Sequence, residues 1–338
     1  MSNSIKELIR VLKQKFPLRK LEEHLKTNNY VVALNDAEEL NNLKTFLLKR
    51  DKYKKKATSI ISDSLQKKLI VIQDVDLYEE FLEWLTMEEA LYYTDKSFLS
   101  VVDNDVIYRL PNDKEIIINE ERDLLASNGT TGFRTWEAAL FLYYYLIKIN
   151  PSLLDEMKIN KALELGCGTG FLGIFLAIMK KDVFFKLTDG SNLVVAKCDE
   201  NVVANKLDKN RVKVEELLWG DDDDLEKENN YDFVFGADVT FDSKYIPALV
   251  ETIKNKLVSN GVCIISATIR NEQTISTLYH SIEKLGPAWK LEKIYALPSS
   301  FCAEISEDTK LHRDIFVKEF WFENLLADIH IYKISKVF

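Results

Sequence analysis

The sequence predicts an α/β fold with a mostly parallel sheet, preceded by an all-α N-terminal module. From residue 161 onward, short apolar runs typical of strands alternate with segments of helical periodicity, and this alternation predicts a parallel sheet. The first run leads into the glycine-rich segment 164–170, and the second ends at Asp189. Before residue 95, apolar residues recur instead at three- and four-residue spacing, which is typical of packed helices.

We place the domain boundary between residues 98 and 99, with a helical module over 1–98 and the α/β domain over 99–338. A short β-prone pair at 106–110 and 115–119 and a long helix at 135–149 precede the sheet. The predicted strands of the sheet are 161–165, 183–188, 212–219, 231–237, 262–268, 290–296, 317–322 and 329–334.

Composition excludes several classes of protein. Apolar residues make up 46% of the chain and charged residues 29%, which is ordinary for a globular protein. The longest apolar stretch, 138–147, falls short of the roughly eighteen residues that span a bilayer. The four cysteines have no C-x-x-C spacing and indicate thiols in a reducing, cytoplasmic compartment. The four histidines have no metal-ligand spacing, so we expect no metal.

Charge is unevenly distributed along the chain. Residues 1–70 carry 16 lysines and arginines against 8 acidic residues, whereas the whole chain has a net charge of −9. A basic stretch such as 49–56 is able to meet RNA or an acidic partner, but a solvated loop is the commoner outcome. An acidic protein overall is also not typical of a dedicated nucleic-acid binder. We therefore expect no nucleic-acid and no membrane partner.

The glycine segment and Asp189 together predict a nucleotide-cofactor site. Closely spaced glycines let the backbone leave a strand tightly and approach a ligand where a Cβ would collide. An acidic side chain at the tip of the next strand is placed to hold two ribose hydroxyls. The glycines alone also satisfy the dinucleotide pattern G-x-G-x-x-G. Three features favour S-adenosylmethionine: Glu164 before the first glycine, the mid-chain position of the cluster, and the downstream tetrad 238–241.

Four successive predicted strands end in residues suited to one ligand. The carboxyl ends of parallel strands meet in one crevice, so the glycine turn, Asp189, Trp219 and Ala237 are expected to lie together. Trp219 offers a flat surface for an adenine ring, although a core tryptophan is the alternative. Trp136 offers an aromatic face to the sulfonium, or else packs its helix on the sheet.

These motifs resemble the class I, seven-stranded S-adenosylmethionine-dependent methyltransferases, in particular the protein-lysine branch with an Asp-x-x-Tyr-type tetrad. The resemblance covers residues 127 to about 334 and rests on segments 131–139, 164–170, 218–220 and 236–239. The helical extension resembles that of the eukaryotic elongation factor 2 lysine methyltransferase family. Together, these resemblances imply a Rossmann-like seven-stranded sheet and a cytoplasmic, monomeric enzyme. They also imply that the enzyme methylates a lysine of elongation factor 2 and recognises this substrate through its N-terminal module.

The resemblance also implies roles for individual residues. The implied contacts to S-adenosylmethionine are Trp136, Gly166, Cys167, Gly168, Asp189, Trp219 and Ala237. Asp238 and Phe241 are implied to face the substrate lysine, as the catalytic pair. Phe241 departs from the pattern because many relatives have tyrosine there, so no proton-accepting hydroxyl is present at this position.

Two other classes of function remain open from the sequence. One is methylation of a nucleic acid or small molecule, although the tetrad lacks the prolines usual in base amino-methyltransferases. The other is a non-catalytic binding module that keeps the cofactor fold, which the loss of the hydroxyl at Phe241 leaves open.

Overall fold

The computed structural model forms two compact units, Met1–Arg109 and Leu110–Phe338. It describes residues 5–28, 30–32, 37–48, 52–94, 104–110, 114–121, 131–220, 231–320, 322 and 324–336. The predicted boundary at residues 98 and 99 and the acidic run 221–224 lie outside these described residues.

The first unit is mainly helical, as the apolar periodicity predicts. Its helices are α1 (Ile5–Lys13), α2 (Leu21–Asn28), α3 (Ala37–Leu48), α4 (Lys52–Gln66) and α5 (Val75–Thr94), with a 3-10 turn at Leu18–Lys20. On α1, residues Ile5, Leu8 and Leu12 recur at helical spacing and are fully buried. These apolar residues therefore form the core face of a packed helix.

The first unit also contains strands, so it is not purely α-helical. Strand β1 (Tyr30–Val32) pairs in parallel with β2 (Ile70–Ile72), with Tyr30 opposite Ile70. A further strand, β3 (Asp105–Arg109), ends the unit. Three-residue strands such as β1 and β2 are too short to show a clear alternation in the sequence.

The second unit alternates strands and helices. Its strands are β4 (Glu115–Asn119), β5 (Lys161–Leu165), β6 (Phe184–Asp189), β7 (Val212–Glu216), β8 (Tyr231–Ala237), β9 (Leu257–Thr268), β10 (Trp289–Leu297) and β11 (Ile329–Lys336). Its helices are α6 (Glu137–Tyr144), which continues as a π-helical turn Tyr145–Ile149, α7 (Leu153–Glu156), α8 (Phe171–Met179), α9 (Asn192–Ala204), α10 (Ile246–Lys256), α11 (Glu272–Glu283) and α12 (Glu307–Glu319).

Seven of these strands form one sheet in the order β10-β11-β9-β8-β5-β6-β7. Within this order, the neighbouring strands β9, β8, β5, β6 and β7 pair in parallel. Strand β11 lies between β9 and β10 and is antiparallel to both. The chain passes from β5 to β6 and β7 on one side and then to β8 and β9 on the other. The strand order therefore reverses at β5, which places a ligand crevice at the carboxyl ends of β5, β6 and β8.

Buried side chains on the strands and helices hold the sheet in place. The central strands β5 and β8 are buried over nearly their whole length, as expected for parallel strands covered by helices. One core cluster joins Leu163, Val234 and Cys263 of the sheet to Leu249 of α10 and Leu278 of α11. These contacts fix the strand ends from which the site residues project.

The predicted strand 317–322 is wrong, because α12 occupies its first residues. Ser306 caps this helix by accepting a hydrogen bond from the Thr309 backbone N–H at 3.2 Å. Phe316 is fully buried and stacks edge-on against Phe141 at 5.3 Å between ring centres, and Phe320 is also buried. Tertiary packing of these rings on α6 thus overrides the local β propensity of the run.

Candidate active site

All nine residues expected at the site line one cavity of about 650 Å³ in the second unit. The cavity lies at the carboxyl ends of β5, β6 and β8 and takes in the segment that follows β7. The lining residues among the nine are Trp136, Gly166, Cys167, Gly168, Asp189, Trp219, Ala237, Asp238 and Phe241. The convergence of strand ends in the sequence thus corresponds to one crevice in the structure.

The turn from β5 to α8 brings bare backbone to the cavity wall. Gly166 and Gly168 have φ values of +64° and +52°, a left-handed conformation that residues with a Cβ adopt at a cost. A Cβ on Gly168 would lie 3.3 Å from the Gly132 carbonyl oxygen, and one on Gly166 would lie 2.8 Å from Val239 Cγ1. Between them, the Cys167 N–H donates to the Thr188 carbonyl at 2.8 Å and anchors the turn on β6.

Asp189 is the last residue of β6 and ties that strand to the glycine turn. Its Oδ2 accepts a hydrogen bond from the Gly168 N–H, and its Oδ1 accepts one from the Ser191 N–H, each at 3.1 Å. Burial raises the pKa of this carboxyl, while the backbone N–H groups oppose that rise. The carboxylate is therefore fixed at the cavity wall, and each of its oxygens keeps further acceptor capacity for a ligand hydroxyl.

Glu164 lies beneath the turn, buried in the cavity wall. Its side chain is almost fully buried, and its Oε2 has no hydrogen-bond partner among the residues that the structure describes. Burial raises the pKa of this carboxyl well above its usual range. A backbone hydrogen bond from Gly173 opposes this rise in pKa, and Oε2 packs against Gly173, where a Cβ would collide with it.

The two tryptophans lie on different parts of the wall. Trp219 lies three residues beyond the end of β7, and its ring approaches the Gly166 backbone, where a Cβ would be 3.6 Å from Cζ2. Trp136 precedes α6, and its Nε1 donates to the Thr131 carbonyl at 3.0 Å. The guanidinium carbons of Arg134 and Arg270 lie 4.9 and 5.3 Å from the centre of the Trp136 ring. The aromatic face expected for a sulfonium thus already attracts two protein cations.

Asp238 follows β8 in a strained left-handed conformation, with φ at +55°. Its Oδ1 accepts from the Thr268 N–H at 2.8 Å, and its Oδ2 accepts from the Thr268 hydroxyl at 3.1 Å. The Arg270 guanidinium lies 3.5 Å from Oδ2. Burial raises the pKa of Asp238, and Arg270 is the strongest influence in the opposite direction. The carboxylate is thus held on the cavity wall by the end of β9.

Phe241 projects from the cavity rim, with 63% of its surface exposed. Tyr245, four residues later, also lines the cavity and is 47% exposed. Both rings are open to solvent, so they are available to a substrate side chain that enters from outside. Phe241 brings no hydroxyl, whereas Tyr245 does.

Sequence reasoning missed the two arginines and Tyr245. Arg134 lies inside motif segment 131–139, and its Nη2 donates to Glu137 Oε1 at 3.1 Å. No spacing in the sequence distinguishes an arginine that lines a cavity from one on the surface. Arg270 lies two residues after β9. The expectation that ligands bind at the carboxyl ends of parallel strands would have identified it if it had also been applied to the predicted strand 262–268. Among the described residues, no three His, Cys, Asp or Glu side chains are grouped so that they could hold a metal ion. None of the described helices has the length and the apolar composition of a membrane span.

The cavity fits S-adenosylmethionine on its own geometry. Gly166 and Gly168 line the cavity with bare backbone, as close approach to a nucleoside requires. Their left-handed φ values and their packing against Val239 and Gly132 are the reasons why glycine is needed there. Asp189 provides fixed acceptors for ribose hydroxyls, and Glu164 is buried in the wall beneath the turn. These three features are contributed by consecutive elements of one crevice.

Comparison with known proteins identifies the family. A lysine methyltransferase family model matches residues 110–284. The protein-lysine N-methyltransferase EFM3 of Saccharomyces cerevisiae is 32% identical over 296 residues, 83% of this chain and 80% of that protein. EFM3 of Chaetomium thermophilum is 36% identical over 51% of this chain and 52% of that protein. Human protein-lysine N-methyltransferase EEF2KMT is 25% identical over 82% of this chain and 84% of that protein. The chain belongs to the lysine methyltransferase family and is an S-adenosylmethionine-dependent protein-lysine N-methyltransferase.

Proposed function

We propose that the enzyme methylates a lysine of translation elongation factor 2. The observation that carries this proposal is the extent of the similarity. The match to human protein-lysine N-methyltransferase EEF2KMT covers 296 residues, more than the second unit contains, so it includes part of the helical first unit. By contrast, mouse EEF1A lysine methyltransferase 3 matches only 149 residues, 44% of this chain. Shared extension beyond the catalytic unit favours a shared protein target.

The residues of the cavity divide into two proposed groups. Trp136, the Gly166–Cys167–Gly168 backbone, Asp189, Trp219 and Ala237 form the cofactor side. Asp238 and Phe241 form the substrate side, and the exposure of Phe241 supports this placement. When bound, S-adenosylmethionine supplies an electrophilic methyl group on a sulfonium. The protein residues then have to position the amine and exclude water from it.

The substrate lysine must lose a proton before it can attack. With an ordinary lysine pKa near 10.4, deprotonation at pH 7 costs about 4.6 kcal/mol. Asp238 is buried at the wall, with both oxygens facing donors, and it offers a fixed acceptor that orients the incoming amine. The aromatic surfaces of Phe241 and Tyr245 at the rim favour the uncharged amine by reducing its contact with water.

The helical first unit is proposed to recognise the folded substrate, and the enzyme is proposed to act as a cytoplasmic monomer. The basic character of residues 1–70 supports an electrostatic attraction to an acidic surface of the target. Recognition of a folded surface predicts that a short peptide around the target lysine is a much poorer substrate than intact elongation factor 2. Equal kcat/KM values for peptide and protein would exclude this role.

A labelling experiment tests the target. The purified chain is incubated with radiolabelled S-adenosylmethionine and, separately, with elongation factor 2, elongation factor 1A and total RNA, and mass spectrometry then locates the modified residue. Label on a lysine of elongation factor 2, incorporated more slowly with the Asp238→Asn variant, supports the proposal. Label on elongation factor 1A alone, or on RNA, shows that the target is wrong.

A further inference from the structure

The end of β9 presents a cation to the acid on the substrate side of the cavity. Arg270 lies two residues after Thr268, the last residue of β9, and lines the cavity. Its Nη2 lies 3.5 Å from Asp238 Oδ2. The guanidinium also lies 5.3 Å from the centre of the Trp136 ring. One side chain thus touches both the proposed substrate side and the proposed cofactor side of the cavity.

The carboxylate that Arg270 meets is held by further contacts from the same strand. The Asp238 N–H donates to the Ser266 carbonyl at 2.8 Å, and both carboxylate oxygens accept from Thr268. These contacts maintain a left-handed conformation that a non-glycine residue adopts only at a cost. Strand β9 therefore orients both the backbone and the side chain of Asp238, and Arg270 is the positive charge that most strongly lowers the pKa of the Asp238 carboxyl.

We infer that Arg270 is a positioning residue for methyl transfer, which holds Asp238 ionised and oriented toward the substrate amine. This inference rests on the proposed role of Asp238. Asp238 is buried, with 9% of its side chain exposed, so an ionised carboxylate there needs compensation. The N–H and the hydroxyl of Thr268 orient the Asp238 carboxylate, whereas Arg270 supplies the positive charge that compensates it.

The charged groups around Asp238 predict how acidity affects the reaction. Arg270, from the end of β9, lowers the pKa of Asp238, whereas Glu137, at the start of α6, raises it. Arg134 is paired with Glu137 and weakens that second effect. Deprotonation of the substrate lysine makes kcat/KM decrease steadily as the pH drops, and if the ionised carboxylate is the active form, the decrease becomes steeper below the pKa of Asp238. Removal of Arg270 moves this fall to higher pH.

The test compares Arg270→Gln, Arg270→Lys and Lys244→Gln. Lys244 is exposed and lies 5.4 Å from the Tyr245 ring, so its removal takes one positive charge from the same rim without touching Asp238. With Arg270→Gln, we expect kcat/KM at neutral pH to fall about tenfold. This value is at the lower end of the effects seen when a charge-assisted contact is lost, because water screens the half-exposed Arg270. Arg270→Lys retains the positive charge, so the fall in kcat/KM at low pH (the acid limb of the pH profile) should occur near the same pH as in the wild type. Lys244→Gln is expected to match the wild type.

Three further measurements separate positioning from a purely structural role. The dissociation constant for S-adenosylhomocysteine, measured by calorimetry, should change less than about twofold, since a larger change would place the effect on the cofactor side. In an Asp238→Asn background, Arg270→Gln should cause no further loss, because the charge that it compensates is gone. An additive loss, an unmoved acid limb, or an equal effect of Lys244→Gln would overturn the inference.

Failure of this inference is distinguishable from failure of the proposed function. If Asp238→Asn alone leaves methyl transfer unchanged, the role proposed for Asp238 is wrong, and the role of Arg270 fails with it. If Asp238→Asn is impaired but Arg270→Gln is not, only the positioning role of Arg270 is refuted.

Discussion

Replacement of Gly166 by alanine should destabilise the catalytic unit through two separable effects. The backbone has φ of +64°, where a Cβ costs about 1–2 kcal/mol. The new Cβ would also lie 2.8 Å from Val239 Cγ1, and Val239 is buried and cannot move into solvent. Overpacking of this kind costs about 1–3 kcal/mol, so the free energy of unfolding should fall by about 2–5 kcal/mol in total.

Thermal unfolding followed by tryptophan fluorescence measures this loss. Four of the five tryptophans lie after residue 109, so the signal reports mainly on the second unit. At about 2–4 °C per kcal/mol for a unit of this size, Gly166→Ala should unfold about 4–20 °C below the wild type. We also expect weaker binding of S-adenosylhomocysteine, because Val239 directly follows Asp238 and the displaced turn forms the cavity wall.

Two matched variants separate strain from collision. Gly286 has φ of +99° and no atom within 4 Å of the position of a Cβ, so Gly286→Ala tests strain alone. Val239→Ala removes the atom with which the new methyl group collides, so Gly166→Ala combined with Val239→Ala should lose less stability than the sum of the two single variants. Strict additivity, or a Gly166→Ala variant no less stable than Gly286→Ala, would refute the steric argument.

Three other variants test the acids of the cavity. Asp189→Ala should bind S-adenosylhomocysteine roughly 10- to 100-fold more weakly by calorimetry, the cost of losing charge-assisted hydrogen bonds, and unchanged affinity would exclude its role on the cofactor side. Asp238→Asn should lower kcat/KM for the protein substrate at least about tenfold, with cofactor affinity unchanged. It should also remove from the pH profile the inflection due to the Asp238 carboxyl, whose pKa burial moves upward, and leave only the dependence that deprotonation of the substrate lysine imposes. Glu164→Gln should unfold at a higher temperature than the wild type at pH 8, by an amount that shrinks as the pH is lowered. Burial raises the pKa of Glu164 in the folded protein above its value in the unfolded chain, so the wild type loses stability as the pH rises from the unfolded pKa to the folded pKa. Lower stability of Glu164→Gln than of the wild type at pH 8 would contradict this reasoning.

The catalytic sheet could be predicted closely because its central strands are short apolar runs with clear ends. The predicted bounds of β5 and β8 match the structure, since buried parallel strands read as continuous apolar segments between glycines and polar turns. The position of Asp189 followed from the same logic. By contrast, β7 ends at Glu216, so Trp219 reaches the cavity from a connecting segment instead of a strand tip.

The rest depended on contacts between residues distant in sequence. The β-prone residues 317–322 gave no sign that Phe316 would pack on Phe141, about 175 positions earlier, and continue a helix capped at Ser306. The proximity of Arg134 and Arg270 to one tryptophan ring likewise joins the segment before α6 to the end of β9. Spacing in the sequence predicts which strand ends converge, but it does not predict which side chains meet there.

The topology explains why the substrate acid is controlled by β9. Because the strand order reverses at β5, β8 lies between β5 and β9, so its carboxyl end faces the cofactor turn on one side and β9 on the other. On the first side, Val239 packs against the backbone of Gly166; on the second, Asp238 bonds to Thr268 and Arg270. Two adjacent residues thus connect the glycine turn to the charge that orients the amine. A substitution in the turn should therefore affect amine positioning as well as cofactor affinity, whereas a substitution at Arg270 should affect amine positioning more than cofactor affinity.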